Sequence, residues 1–278
     1  MWALAGHLRL IGGELEGARD AYETVLAMEG EGGAGGAGGG GGGEDGASEL
    51  LAVYLRLGSL YVTEGLYEDA KYVYLQASRL SPSAFTWLGV GVSCYRLEKL
   101  EQAEDALAEA NILNNFDADV WGYLTLVCLQ TGRVTEGDQA FMQALKLDLT
   151  NGSLLTEIGE AYAAVDRYAD AEQCLRRSIE LEESAHAHRV LAGVLNAQGQ
   201  KEGAVAEYMM VLASAEEEED LDASRAGLVD VLERLGRSEQ AAFYRNEIAV
   251  VEAERERVRV EEVRRERDEK VVLEAEFR

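Results

Sequence analysis

Two tryptophans, Trp87 and Trp121, lie 34 residues apart, and each stands near the start of a segment with the same pattern of apolar and small residues. The two segments read TWLGVGVSCYRLEKLEQAEDALAEA and VWGYLTLVCLQTGRVTEGDQAFMQA. The pattern recurs upstream from Tyr54 and downstream from Leu155 and His188, and weaker copies open and close the series. A fixed period of this length indicates a repeat architecture, in which each unit packs only on its neighbours.

The repeat has the signature of the tetratricopeptide (TPR) motif. It approximates W-x2-L-G-x2-Y in its first half and A-x3-F-x2-A in its second half, with a period of 34. Only one proline, Pro82, interrupts the chain, and this favours long helices over a loop-rich β fold. The sequence therefore predicts an all-α fold: a TPR superhelical solenoid of about seven helix–turn–helix repeats with a long charged C-terminal helix.

Small residues recur where the two helices of a unit are expected to cross closely. In the first helix they are Gly58, Gly91 and Gly159, and in the second helix they are Ala70, Ala103, Ala171, Ala204 and Ala241. Glycines also recur between the two helices, where a C-cap needs positive φ: Gly65, Gly132, Gly199 and Gly236.

The period divides the chain into four parts. Residues 1–29 are the first TPR unit with a truncated start, because Met1 stands almost at the tryptophan position; this predicts a fragment of a longer protein. Residues 30–46 are a glycine-rich flexible insert. Residues 47–248 hold the other six units, with an acidic loop at Glu216–Asp220. Residues 249–278 form the charged C-terminal helix, which caps the array or spans solvent rather than dimerising.

Charge and motifs exclude several functions. The 26 basic against 52 acidic residues give a net charge of −26, which argues against binding nucleic acid or an anionic membrane. No nucleophile, kinase or nucleotide-binding motif occurs, so we expect neither an enzyme nor a cofactor site. Cys94, Cys128 and Cys174 form no paired motif, and we expect buried thiols and no metal site.

The first helix of each TPR unit lines the concave face, and the repeat spacing selects the residues that it exposes. They form an apolar and aromatic centre followed by a polar part, which is typical of a protein-binding surface. The alternative is that each apolar side chain is simply core. We expect the surface to bind a helical or extended apolar segment that also carries basic residues. The predicted partner-binding residues are Leu55, Phe85, Leu88, Val92, Tyr95, Arg96, Gly122, Leu126, Leu129 and Arg189.

Residues 81–147 are more specific than a general TPR pattern. The phrases TWLGVGVSCYRLEKLEQAEDALAEANILNN and DVWGYLTLVCL resemble the C-terminal TPR region of the cilia- and flagella-associated protein 70 family. The resemblance implies a protein of the motile cilium or flagellum axoneme, associated with the central apparatus or the dynein arms. It implies partners among other axonemal proteins in a large assembly, and no catalytic residues. The alternative function is a cytosolic TPR adaptor for assembly or transport of ciliary complexes.

Overall fold

The structure, a computed structural model, describes residues 2–32, 44–214 and 218–276. Over these ranges the chain folds into fourteen α-helices and no β-strand. The helices follow one another in seven pairs, and the two helices of each pair contact each other extensively. The predicted all-α TPR solenoid fold is confirmed. We call the two members of each pair the first helix and the second helix.

The chain divides into two compact units, residues 1–150 and 151–278. The first unit contains four helix pairs: α1 (Trp2–Ile11) with α2 (Leu15–Gly32), α3 (Glu44–Thr63) with α4 (Tyr67–Leu80), α5 (Ala84–Arg96) with α6 (Leu100–Leu113), and α7 (Ala118–Gln130) with α8 (Val134–Lys146).

The second unit contains three helix pairs: α9 (Gly152–Ala164) with α10 (Tyr168–Leu181), α11 (Ala185–Ala197) with α12 (Lys201–Ser214), and α13 (Glu218–Arg234) with α14 (Ser238–Glu276). The repeat period gives no sign of the division at residue 150, because the spacing of 34 residues from Trp121 to Leu155 continues across it.

Four of the seven turns inside the pairs have the predicted left-handed glycine, and the other three have Gly13, Glu98 and Asp166 in the same conformation. Gly65, Gly132, Gly199 and Gly236 have φ between +74° and +82°. At Gly132 the backbone closes the helix end, since Arg133 N donates to the carbonyl oxygen of Cys128 at 2.8 Å. This arrangement reverses the chain after every first helix.

The core contains the small residues that the repeat predicts. Ala70, Ala103, Ala171, Ala204 and Ala241 are at most 1% exposed. A Cβ atom on Gly91 would lie 2.7 Å from Leu107, and one on Gly159 would lie 2.8 Å from Leu175. Real Cβ atoms do not approach so closely, so the paired helices can cross at this distance only where the first helix has glycine.

Three predicted boundaries differ from the structure. Helix α2 continues to Gly32 and α3 begins at Glu44, so the helices enter the predicted glycine-rich insert from both sides, and residues 33–43 lie outside the described ranges. The C-terminal helix does not begin near residue 249, because α14 continues unbroken from the last TPR unit. The prediction of an acidic loop is wrong for residues 218–220, which start α13, while residues 216 and 217 lie outside the described ranges.

Candidate protein-binding surface

The predicted surface of the first unit is only partly exposed. Phe85 is 54% exposed, Arg96 is exposed, and Leu55 and Leu88 are partly exposed. Leu55 lies on α3 and the other three lie on α5, and these two first helices contact each other. Four of the predicted residues are thus accessible on two helices that contact each other, and we call these four residues the α3–α5 patch.

The other predicted residues of the first unit belong to the core. Leu126 is completely buried and Leu129 is 2% exposed, and Gly122 is buried beside them on α7. Val92 and Tyr95 on α5 are each 9% exposed. The prediction that these five residues are available to a partner is wrong, because their helices turn them toward neighbouring helices and away from solvent.

The buried residue Tyr95 is fixed by contacts with α7 and lies next to Arg96 of the α3–α5 patch. Its hydroxyl oxygen accepts a hydrogen bond from Nε2 of Gln130 at 2.8 Å, and its ring meets the ring of Tyr123 edge-on at 6.0 Å. The guanidinium group of Arg96 lies 5.8 Å from the centre of the Tyr95 ring. The exposed guanidinium group of Arg96 therefore lies over a ring that is itself fixed by its contacts with α7.

Phe85 is anchored at the opposite end of α5. Its ring meets the ring of Tyr74 edge-on at 6.3 Å, and Tyr74 is itself buried. Burial raises the pKa of the Tyr74 phenol to about 12, so the phenol stays neutral under all ordinary conditions. A capping box between Ser83 and Thr86 fixes the start of the helix next to Phe85. The exposed ring therefore projects from a rigid helix end.

In the second unit, Arg189 takes part in an internal network of charges. Its Nε donates to Oδ1 of Asp220 at 2.7 Å, and its Nη2 lies 2.8 Å from Nδ1 of His186. Nε2 of His186 in turn lies 3.1 Å from Oε1 of Glu160. The sequence predicted a polar surface here, but it did not predict that Arg189 is held by a buried carboxylate, because Asp220 sits in an acidic run that looked like a loop.

The hydrogen bond to Glu160 raises the pKa of His186, and burial and the nearby Arg189 oppose this effect. The second histidine of the pair, His188, is buried, and its Nδ1 lies 2.6 Å from Oε2 of Glu207. His186 thus contacts α9 and His188 contacts α12, as expected for side chains two residues apart on a helix, which point in different directions.

Within the described ranges there is no group of three or more His, Cys, Asp or Glu residues that could hold a metal ion. None of the helices described is both long and apolar enough to cross a membrane. This part of the chain has exposed side chains on rigid helices. Such side chains are well placed to contact another polypeptide.

Comparison with known proteins decides the family. The sequence pattern of the cilia and flagella-associated protein 70 C-terminal domain matches residues 1–226. The chain belongs to this family. Its TPR units are thus those of a cilia- and flagella-associated protein, as the residues around Trp87 and Trp121 predicted.

Two relatives in the cilia- and flagella-associated protein 70 family are from primates. The human protein is 45% identical over 158 residues, which is 57% of this chain and 13% of the human protein. The protein of Macaca fascicularis is 55% identical over 112 residues, which is 40% of this chain and 11% of that protein. The aligned part thus covers roughly an eighth of the length of these relatives.

Solved structures support the fold of this member of the cilia- and flagella-associated protein 70 family. A chain in the crystal structure of the APC/C hetero-tetramer Cut9-Hcn1 superimposes with a TM-score of 0.63 at 19% identity. The superposition covers 82% of this chain and 42% of that chain. At this identity the likeness concerns the arrangement of the helices only.

Proposed function

We propose that this chain is a non-catalytic protein-interaction scaffold of the motile cilium or flagellum axoneme, in the central apparatus or beside the dynein arms. Membership in the cilia- and flagella-associated protein 70 family supports the ciliary location. The observation that carries the binding role is the α3–α5 patch, where Phe85 is 54% exposed at the capped start of helix α5. Apolar side chains kept exposed on rigid helices are typical of a docking surface.

The chemistry of the patch favours an apolar segment that carries basic residues. Leu55, Phe85 and Leu88 supply the apolar contact area, and a chain with a net charge of −26 attracts a positively charged partner. A helical or an extended segment can supply such side chains at regular spacing. Arg189, in contrast, is engaged by Asp220, and it has only a secondary part in this proposal.

The experiment is an affinity pull-down with residues 1–278 from two extracts of one ciliated cell type, salt-extracted axonemes and cytosol. The test variant combines Phe85→Ser with Leu88→Asp, which changes two accessible side chains. The matched control is Tyr72→Asp, because Tyr72 is 62% exposed on α4, a second helix outside the patch. Circular dichroism checks that all three proteins keep the same helix content.

We expect axonemal structural proteins to be recovered with the unchanged chain and with Tyr72→Asp, and to be lost with the double variant. Equal recovery with the double variant would contradict the role of the α3–α5 patch. Recovery of cytosolic transport or assembly proteins alone would contradict the axonemal location and favour a cytosolic adaptor.

A further inference from the structure

The last turn of helix α6 and the loop that follows it expose large apolar side chains. Ile112 is 76% exposed, Leu113 is 47% exposed, and Phe116, in the connection to α7, is 77% exposed. In α4 and α8, the repeat position of Ile112 has the charged residues Arg79 and Lys146. The exposure does not depend on an end of the chain, because helix pairs precede and follow α6 within the first unit.

Hydrogen bonds fix the connection that carries Phe116. The backbone N of Phe116 donates to Oδ1 of Asn114 at 3.1 Å, and Nε1 of Trp121 donates to the carbonyl oxygen of Asn115 at 3.0 Å. The side chain of Asp117 then caps the start of α7. The exposed ring is therefore held in place before any partner binds, which lowers the entropy cost of an interaction.

The same side of α6 carries three carboxylates ahead of the apolar side chains. Glu101, Asp105 and Glu109 are exposed, and spacings of four, four and three residues place them on one side of the helix with Ile112. No basic residue in the described ranges pairs with any of the three, and α6 itself has no basic residue. Like charges four residues apart on a helix repel each other, so this arrangement is unfavourable in the isolated chain.

The acidic side is a property of α6 and not of the repeat. No other second helix has acidic residues at both the Asp105 position and the Glu109 position. Glu101 lies in the first turn, where the helix dipole favours a carboxylate, but Asp105 and Glu109 lie beyond that turn. The residues at the latter two positions are Tyr72 and Gln76 in α4, Gln139 and Gln143 in α8, and Gln173 and Arg177 in α10.

The two features together indicate the kind of partner. The apolar end favours apolar side chains, and the unpaired carboxylates favour basic ones. Side chains four residues apart on α6 lie about 6 Å apart along its axis, and a partner helix repeats its side chains at the same interval, so that the contacts stay in register. A second copy of this chain fits less well, since two copies with a net charge of −26 each repel each other.

We propose that the exposed side of α6, from Glu101 to Ile112, forms with Leu113 and Phe116 a docking site for an amphipathic helix of another protein. That helix has basic residues in line with its apolar residues. We call this site the α6 strip. It lies on a second helix and the loop after it, whereas the α3–α5 patch lies on two first helices. The two surfaces share no residue, so each can be tested alone.

A designed helical peptide tests the α6 strip. It has lysines at the spacing of the α6 carboxylates and leucines at the spacing of the apolar side chains, with alanine and glutamine elsewhere, and it is made in both chain directions. The labelled peptides are titrated with residues 1–278 and followed by fluorescence anisotropy. We expect saturable binding of one direction. Ile112→Gln with Phe116→Ser should weaken it at least about tenfold, because two apolar contacts are lost. The same peptide with glutamate in place of lysine should not bind.

Matched variants separate the local charge of the α6 strip from the net charge of the chain. Glu101→Gln, Asp105→Asn and Glu109→Gln together should weaken binding about tenfold and remove most of its salt dependence, because three ion pairs are lost. The control has the same net charge and should bind as the unchanged chain does. It replaces three exposed carboxylates elsewhere: Glu183→Gln, Glu239→Gln and Glu252→Gln. Circular dichroism checks that all variants keep their helix content.

Absence of binding by both peptides would overturn the proposal, and so would binding that survives Ile112→Gln with Phe116→Ser. Self-association of the chain that the same two changes abolish would assign the α6 strip to a second copy instead. Loss of peptide binding in the variant with Phe85→Ser and Leu88→Asp would place the peptide on the α3–α5 patch. That result would reject the α6 strip and leave the proposed function intact.

Discussion

The ring of Tyr74 occupies the space in which a side chain at Gly89 would lie. A Cβ atom on Gly89 would be 2.6 Å from Cδ1 of Tyr74, and a Cβ atom on Gly58 would be 2.8 Å from the same ring. Tyr74 belongs to α4, whereas the two glycines belong to α5 and α3. One buried ring thus joins a helix pair to the helix that follows it, which is how a TPR unit gains stability from its neighbour.

Gly89→Ala should destabilise the protein for this reason. The added methyl group meets the Tyr74 ring, and overpacking of this kind costs about 1–3 kcal/mol. Gly193→Ala is the matched control, because its Cβ atom would have only Tyr208 Oη nearby, at 3.9 Å. In a helix that change should be neutral or should stabilise by up to about 1 kcal/mol. Thermal unfolding followed by circular dichroism compares the two, and equal melting temperatures would contradict the tight contact.

The turn at Glu98 leads to a prediction about backbone conformation. Glu98 has φ of +58°, at the repeat position where Gly132 has φ of +76°. A residue with a Cβ atom is strained in this region by about 1 kcal/mol, whereas glycine is not. Glu98→Gly should therefore raise the melting temperature, and the reverse change, Gly132→Ala, should lower it. A lower melting temperature for Glu98→Gly would show that the flexibility of glycine in the unfolded chain outweighs the strain.

The period of the sequence was sufficient to predict helices, turns and core alanines, because each depends on residues within one or two repeats. It could not separate the accessible residues of the surface from the core. Leu88 and Gly122 stand at the same repeat position, yet Leu88 is partly exposed and Gly122 is buried. Burial depends on how neighbouring helices cover each position, and that is a property of the packed array.

Long-range ion pairs were also beyond the reach of the sequence. Arg189 and Asp220 are 31 residues apart and meet at 2.7 Å only because α11 and α13 contact each other. In the linear sequence Asp220 is the last of a run of acidic residues, and such runs are usually solvated.

Replacing Arg189 should destabilise the protein, because the carboxylate of Asp220 then loses its ion-pair partner. Asp220 is only 7% exposed, so Arg189→Ala leaves a buried carboxylate without its main partner, at a cost of about 1–3 kcal/mol. Adding Asp220→Ala should recover part of this loss. Arg176→Ala is the control: Arg176 is half exposed and paired with Glu172 on the same helix, so its loss should cost at most about 0.5 kcal/mol. Urea unfolding compares the unchanged chain, Arg189→Ala, Asp220→Ala, the double variant and Arg176→Ala, and additive effects of the two changes would contradict the coupling.

His186 should make stability depend on pH above its ordinary pKa of 6.5. Its pKa in the folded protein is raised above the ordinary value of 6.5 by the hydrogen bond to Glu160. Folding therefore favours the protonated imidazole, and the stabilisation is complete below about pH 6.5 and is lost as the pH rises through the folded pKa. The melting temperature should fall over this range, and Glu160→Gln should reduce the slope. Titration of the imidazole signal by NMR gives the two pKa values, and an unchanged pKa in Glu160→Gln would contradict the assignment.

The three thiols should be inert in the folded protein. Cys94 is completely buried, Cys174 is 2% exposed and Cys128 is 7% exposed. Burial raises the pKa of the Cys174 thiol to about 12, and it also raises the pKa of the other two. Because only the thiolate is a good nucleophile, a disulfide reagent such as DTNB should react at pH 8 very slowly before unfolding and with all three thiols in guanidinium. Fast reaction of one thiol in the folded chain would mean that its helix pair opens locally, and Cys→Ala variants would show which pair it is.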